Sequence, residues 1–476
     1  MQIQTDGVMP EFPDAQEEFT SLSEAGIAVD VGTTTVAVSL WTLADRKCLA
    51  TVAEKNVQVR YGHDVIKRIS FAVRPPLTGS AQIVESGPSA LHYGIINQLE
   101  KLYTQVIAKA TLKAGRGVRL NVSRIVITGN TTMLSFVCAM PVDGLAAAPF
   151  KPASRFGFTT EWGSVREGTV SSKCEALDPP TPETVETYRK SAVKPSTPVY
   201  FPPCIGAFIG ADMVCAMLSA GFSVPGISQD SPQAWEAPVK APLLLADIGT
   251  NTEIALYIPE SEGQSGKILC TSAAAGPAFE CANISCGMSS VDGAIDRIDY
   301  KGSLDCHVIG EGNAKGICGS GLISTVATLF RHKYIDNAGV IQKNISKLGD
   351  GSICIQLTPA VFISQQDIRN MQLAKSAVYT GLSYMLERSP SLPVFCVAGG
   401  FGSHINIADA CEIGLIPKEL ENRCVHLGNA ALAGASALLF SRALRQKAVD
   451  LVKHAFQINL AAVPDFQHRY LRSIEF

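Results

Sequence analysis

Apolar and polar positions alternate in two copies of one pattern along the chain. Residues 27–39 read IAVDVGTTTVAVS and residues 243–256 read LLLADIGTNTEIAL. Each copy is an apolar run ending in aspartate, then a glycine with hydroxyl-bearing neighbours, then a second run of β-forming residues. That pattern predicts a strand, a tight hairpin and a returning strand. The text after each hairpin repeats as well. In the first half a third strand is expected near 47–57, a long helix over 88–114, and strands at 124–128 and 198–200, the last leading through Ile209-Gly210-Ala211-Asp212 into a helix. In the second half the matching pieces are a strand at 267–272, a helix over 363–388, and strands at 393–398 and 425–427, followed by Gly428-Asn429 and a helix over 430–438. The halves therefore read as duplicates of one α/β unit with antiparallel strands first and alternating helices and parallel strands after.

The hairpins also carry the first candidate chemistry. Glycine can take positive φ and has no Cβ, so at Gly32 and Gly249 the backbone N–H groups of Thr33, Thr34 and Thr35, or of Thr250 and Asn251, can approach a phosphate. Asp30 and Asp247, at the strand ends, are placed to hold a hydrated divalent cation beside it. The competing structural role for each is a strand-end aspartate capping its own turn.

Organisation follows from composition shifts. Residues 1–25 form an acidic, proline-containing lead expected to be mobile, and 26–221 form the first half with an insertion near 141–203. A proline-rich linker is expected at 222–242. The second half covers 243–440 with an insertion near 275–360, and 441–476 reads as a surface helix and tail. Residues 56–69 carry Arg60, Tyr61, His63, Asp64, Lys67 and Arg68, which suit either a loop and helix start facing a partner or a cleft, or a solvated amphipathic helix.

With 476 residues there is ample core, and a net charge of −3 argues against electrostatic attraction to nucleic acid. The N-terminus shows no basic region followed by an apolar run, and the apolar stretch 200–222 is interrupted by Pro202, Pro203 and Asp212, so neither a signal peptide nor a membrane span is expected. A cytoplasmic protein is the expectation. The 14 cysteines contain no C-x-x-C; the nearest approach, Cys281-x4-Cys286, lacks the rest of a cluster pattern. They are expected to be buried, reduced and structural, with no iron–sulfur cluster in this chain.

Read together, the phrases resemble a known superfamily. The two hairpins and the turn Gly399-Gly400-Phe401-Gly402 are similar to the phosphate-1, phosphate-2 and adenosine motifs shared by acetate and sugar kinases, chaperone ATPases and actin. Further phrases resemble one branch: Tyr61-Gly62-His63-Asp64-Val65-Ile66, ITGNTTM from Ile127, FIGAD from Phe208, AAAGPAFE from Ala273, ISCGM from Ile284, GICGSG from Gly316, Gln366-Asp367-Ile368-Arg369 and QLAK from Gln372. That branch is the reductive activators of corrinoid proteins, and the resemblance runs over residues 26–438.

The resemblance implies duplicated RNase H-like (actin-like, ASKHA) domains with a nucleotide cleft between them, and ATP with Mg²⁺ as cofactors. It implies metal-sphere roles for Asp30 and Asp247 and close approach of adenosine at Gly399, Gly400 and Gly402. Asp212 is expected to orient the attacking water, although a first-turn helix residue favoured by the dipole fits equally. Arg369, Gln372 and Lys375 share one helix face and either line its nucleotide side or form a solvent stripe. The activity implied is ATP-driven return of Co(II) corrinoid to Co(I), with cleft closure as the two-state element. Family members carry an iron–sulfur domain ahead of the ATPase, whereas the lead here has no cysteine, so a separate iron–sulfur protein is expected to supply the electron. Partners are then a corrinoid protein and that donor; a homodimer is compatible with the sequence, and neither nucleic acid nor membrane is expected. A small-molecule kinase and a non-catalytic nucleotide-gated module are the alternatives. One small departure is Cys281, where a residue such as glycine is expected.

Overall fold

The computed structural model describes residues 6–10, 23–74, 86–114, 119–225, 241–261, 265–310, 312–402 and 405–476. Most of the lead and most of the 222–242 linker lie outside them.

The first duplicated pattern folds as read. Strands β1 (Glu24–Val31) and β2 (Thr35–Thr42) pair antiparallel through the hairpin, and β3 (Cys48–Lys55) extends them. Helix α1 (Val65–Ala72) and the long α2 (Gly87–Ala114) follow. Strand β4 (Asn121–Gly129) lies parallel to β1 and runs into α3 (Thr131–Val137). The 141–203 insertion adds β5 (Phe158–Glu161), which pairs antiparallel with β6 (Pro198–Phe201) and extends the sheet edge; α4 (Ala211–Ser219) comes next. The strand order is β3-β2-β1-β4-β6-β5. Burial explains the apolar text: Ile27, Ala28 and Val29 in β1 are fully covered, and α2 places Leu91, Ile95, Leu99, Leu102 and Val106 on one buried face at helical spacing.

The second pattern repeats this plan. Strands β7 (Leu243–Asp247), β8 (Thr252–Ile258) and β9 (Lys267–Ala273) form the antiparallel part. Its insertion builds two small sheets. One contains β10 (Ala294–Tyr300), β11 (Leu304–Val308) and β12 (Gly316–Ile317), the last leading into α5 (Gly319–Arg331). The other contains β13 (Ile345–Lys347), β14 (Ile353–Thr358) and β15 (Val361–Ser364). Helix α6 (Gln365–Leu386) starts two residues later than the pattern suggests, because 361–364 pair as a strand and Ser364 with Asp367 forms a capping box. Strand β16 (Val394–Ala398), the turn-helix α7 (Gly399–Gly402) and β17 (Cys424–Gly428) complete the order β9-β8-β7-β16-β17, with β16 parallel to both neighbours. This is the arrangement of β3-β2-β1-β4-β6 in the first sheet. Helices α8 (Ala430–Ala437) and α9 (Arg442–His454) follow.

By contacts the chain divides into two compact units. One comprises Thr5–Val239 with Asn429–Gln457, the other Lys240–Gly428 with Ile458–Phe476. Helix α8 therefore packs with the elements of the first sheet although it follows the last strand of the second. Its entry also holds part of the lead: the Asn429 N–H donates to the Asp6 carbonyl at 2.9 Å, and a Cβ on Gly7 would stand 2.3 Å from the Asn429 carbonyl oxygen. No helix among the described residues is long and apolar enough to cross a membrane.

Candidate nucleotide-binding elements

In the first unit, the hairpin after Asp30 is held by its carbonyls. Asn56 donates from Nδ2 to the Gly32 carbonyl and from its backbone N–H to the Thr34 carbonyl, both at 2.8 Å. The Arg68 guanidinium donates to the Thr33 carbonyl at 2.6 Å. Because the peptide unit is planar and trans, fixing the Gly32 and Thr33 carbonyls on one side turns the Thr33 and Thr34 N–H groups to the other. That is the orientation an anion-binding turn requires. Arg68 is itself fully buried, and also donates to the Gly62 carbonyl at 2.9 Å and the Gln58 side-chain oxygen at 3.4 Å. The charged stretch 60–68 thus contributes an internal brace, while its neighbour Ile66 is 75% exposed. Alternation of polarity misassigns this helix, because a buried arginine and an exposed isoleucine invert it.

The ends of β1 and β4 meet at the same place. Asp30 accepts from Asn429 Nδ2 at 3.2 Å, and Asn429 Oδ1 caps α8 through the Leu432 N–H at 2.8 Å. Asn130 caps α3 and reaches back from Nδ2 to the Thr33 hydroxyl at 3.1 Å. The α4 entry is equally close: a Cβ on Gly210 would stand 2.4 Å from the Asn130 Cα and 2.7 Å from Asp212 Oδ1, and Asp212 accepts the Met213 N–H at 2.8 Å. Asp30 and Asp212 both raise the pKa of the buried Cys215 thiol through their charge, after desolvation, which is the larger cause. Asp30, Thr33 and Asp212 are thereby gathered at the carboxyl ends of the parallel strands, where open α/β sheets bind ligands.

In the second unit, Asp247 ends β7 as a half-buried residue, and burial pushes its carboxyl up to about 6. Gly399 follows the adjoining strand β16 at φ +92°, and a Cβ there would come within 2.5 Å of Asp247 Oδ1. A side chain at position 399 would fill the space beside the Asp247 carboxylate, so the glycine turn and Asp247 are brought together. Gly400 and Gly402 continue the same turn in α7. Thr250 is clamped by the AAAGPAFE segment: its carbonyl accepts the Gly276 N–H at 2.9 Å, and the Glu280 carboxylate accepts the Thr250 N–H at 3.0 Å and hydroxyl at 2.6 Å. Asn251 completes the turn before β8. Glu280 escaped the sequence reading, although its phrase stood out as characteristic.

The three residues of α6 are placed differently from one another. Gln372 is fully buried and donates from Nε2 to the Ala338 carbonyl at 3.2 Å, while its Oε1 finds no partner. Lys375 is buried too; its ammonium donates to the Glu475 carbonyl, lies 5.4 Å over the Phe476 ring and has its pKa lowered to about 8 by desolvation. Arg369 is half-buried on the same helix. Among the described residues no group of three or more His, Cys, Asp or Glu side chains is placed to hold a metal ion. Burial raises the Cys204 and Cys424 thiols to about 12 and those of Cys396 and Cys411 to about 11.

Two family descriptions match this chain: the RACo middle region over residues 25–166, and the C-terminal domain of RACo, the ASKHA domain, over residues 241–476. The chain belongs to the RACo family. Among RACo-like relatives, the corrinoid activation enzyme RamQ of Eubacterium limosum is 29% identical over 478 residues, covering 95% of this chain and 70% of that protein. The Co(II) methylated amine-specific corrinoid protein reductase of Methanosarcina barkeri is 25% identical over 480 residues, covering 95% of this chain and 77% of its own length. A solved structure titled reductive activator for corrinoid, iron-sulfur protein superposes with a TM-score of 0.74 at 27% identity, over 96% of this chain and 67% of that one. The α/β architecture of the ASKHA type is thereby established for this chain as for the family.

Proposed function

We propose that this chain is an ATP-dependent activator that returns a corrinoid protein from Co(II) to Co(I), with the single electron supplied by an iron–sulfur donor. The observation that carries the nucleotide part is the bracing of the first hairpin by Asn56 and Arg68, which presents the Thr33 and Thr34 amides away from the brace. The cradle left by Gly399 beside Asp247 supports the same reading in the second unit, since a side chain there would fill it. The corrinoid part is supported by the activities that the RamQ and M. barkeri relatives are named for.

On this reading Asp30 and Asp247 would each serve in their own unit as a metal-sphere residue, and the amides of 33–35 and of 250–251 would donate to phosphate oxygens. Asn429 orients Asp30 through its side-chain amide, and Asn130 fixes the Thr33 hydroxyl. Asp212, at the start of α4, is the proposed water-orienting carboxylate, and Arg369 a nucleotide-side residue. When bound, Mg-ATP supplies the free energy that an uphill reduction needs, through unequal affinity for two states of the protein.

The test is the visible spectrum of an isolated Co(II) corrinoid protein under anaerobic reductant, with and without this chain and Mg-ATP. The Co(I) band should grow only with all components present, and Asp30→Asn or Asp247→Asn should suppress it. A Co(I) band that grows equally without ATP would overturn the ATP-dependent reading.

A further inference from the structure

The 273–280 segment does more than support the second hairpin. One oxygen of Glu280 takes both the N–H and the hydroxyl of Thr250, at 3.0 and 2.6 Å, and the same oxygen lies 3.7 Å from where a Cβ on Gly249 would stand. These are the donors that a phosphate oxygen would use if the turn binds phosphate. A carboxylate is already seated on them.

Glu280 is held there from both sides. Gly276, at φ +76°, returns its N–H to the Thr250 carbonyl, and Cys281 takes the left-handed φ of +57° with its side chain buried. A Cβ on Gly287 would come within 2.0 Å of the Cys281 carbonyl oxygen, so the backbone behind Glu280 is packed against its neighbour. These contacts tie the segment to the hairpin and to Gly287, which leaves rotation of the Glu280 side chain as the local response.

We propose that Glu280 is a specificity-determining residue of the second hairpin, one that admits a nucleotide phosphate only together with a divalent cation. The inference rests on the reading of that hairpin as a phosphate site. A phosphate arriving without a cation must displace Glu280 from two charge-assisted hydrogen bonds or stand beside a half-buried carboxylate, and both are unfavourable. A divalent cation bound with the phosphate would offset that repulsion. Glu280 therefore makes nucleotide affinity more dependent on magnesium than the charge of the phosphates alone would.

The experiment measures ATP and ADP affinity by calorimetry on the full chain, with magnesium in excess and with a chelator. Wild type is compared with Glu280→Gln, which keeps the shape without the charge, and with Glu280→Ala. Magnesium-free affinity should rise on the order of tenfold in both variants, the equivalent of losing one charge-assisted contact, while affinity with magnesium stays within about a factor of two. The ratio of the two affinities is the readout, because a merely structural defect would weaken binding in both conditions and leave it unchanged. A ratio unaltered in both variants overturns the proposal while the phosphate site stands. Absence of nucleotide binding by wild type even with magnesium removes the phosphate site itself, and the proposal with it.

Discussion

Replacing Arg68 by methionine isolates the brace on the first hairpin. The apolar side chain keeps most of the volume but removes every donor, leaving the carbonyls of Thr33 and Gly62 and the Gln58 side-chain oxygen without the guanidinium. Thr33 and Gly62 are half-buried, so each costs about 1 kcal/mol when unpartnered, whereas Gln58 is fully buried and costs up to about 2. Relief from burying a guanidinium offsets part of that sum, for a net loss of about 2–4 kcal/mol in the unit that contains it. For a unit of this size the shift in melting temperature is about 2–4 °C per kcal/mol, hence roughly 5–15 °C. Calorimetry should show this in one transition only, since the chain has two units and need not unfold in a single step. With the brace gone the Thr33 and Thr34 amides lose their fixed direction, so Mg-ATP affinity should fall at least tenfold under conditions where the protein remains folded. An Arg68→Met protein with both transitions and its nucleotide affinity unchanged would refute the reasoning.

Other perturbations follow from the same geometry. Gly399→Ala forces a Cβ to within 2.5 Å of Asp247 Oδ1 at φ +92°; it should lose about 1–2 kcal/mol from backbone strain and more than tenfold in Mg-nucleotide affinity, measured by melting and calorimetry. Asn429→Ala removes the α8 cap and the donor to Asp30, and should cost about 1 kcal/mol in melting experiments together with a weaker Mg²⁺ dependence of nucleotide binding. Asp247 has a folded-state value of about 6, above its unfolded value of 3.8, so its ionisation opposes folding. Without divalent cation, stability should therefore fall as pH rises from about 4 to 6. At pH 7 and without divalent cation Asp247→Asn should be more stable by up to about 3 kcal/mol while losing Mg-nucleotide binding; a variant less stable than wild type at that pH would refute the assignment.

Much of the fold was legible because it is written twice. The apolar runs ending at Asp30 and Asp247 fold as β1 and β7, and the long amphipathic stretches fold as α2 and α6. Glycine geometry was legible at Gly399, and the expectation of a small residue at position 281 has its reason in the left-handed φ that Cys281 adopts there. What pattern could not reach was pairing over distance. Asn429 meets Asp30 across 399 positions, and Arg68 meets Thr33 across 35, with a burial opposite to its polarity. Gln372 and Lys375 share a helix face as expected, but that face turns into the unit, toward residues 338 and 475.

The interleaving of the two units bears on the order in which they can form during synthesis. The first unit is made of Thr5–Val239 and Asn429–Gln457, so the whole of Lys240–Gly428 is translated before its last helices exist. Until α8 emerges, β1 and α4 lack the helix that covers them, and Asp30 lacks the amide that orients it. A nascent chain stopped anywhere before residue 429 thus carries the complete first hairpin in sequence but not its final setting. Long-range closure of this kind is slow and leaves apolar surface exposed meanwhile. The proposed nucleotide elements of the first unit therefore reach their final setting late, once residues 429–457 have been made.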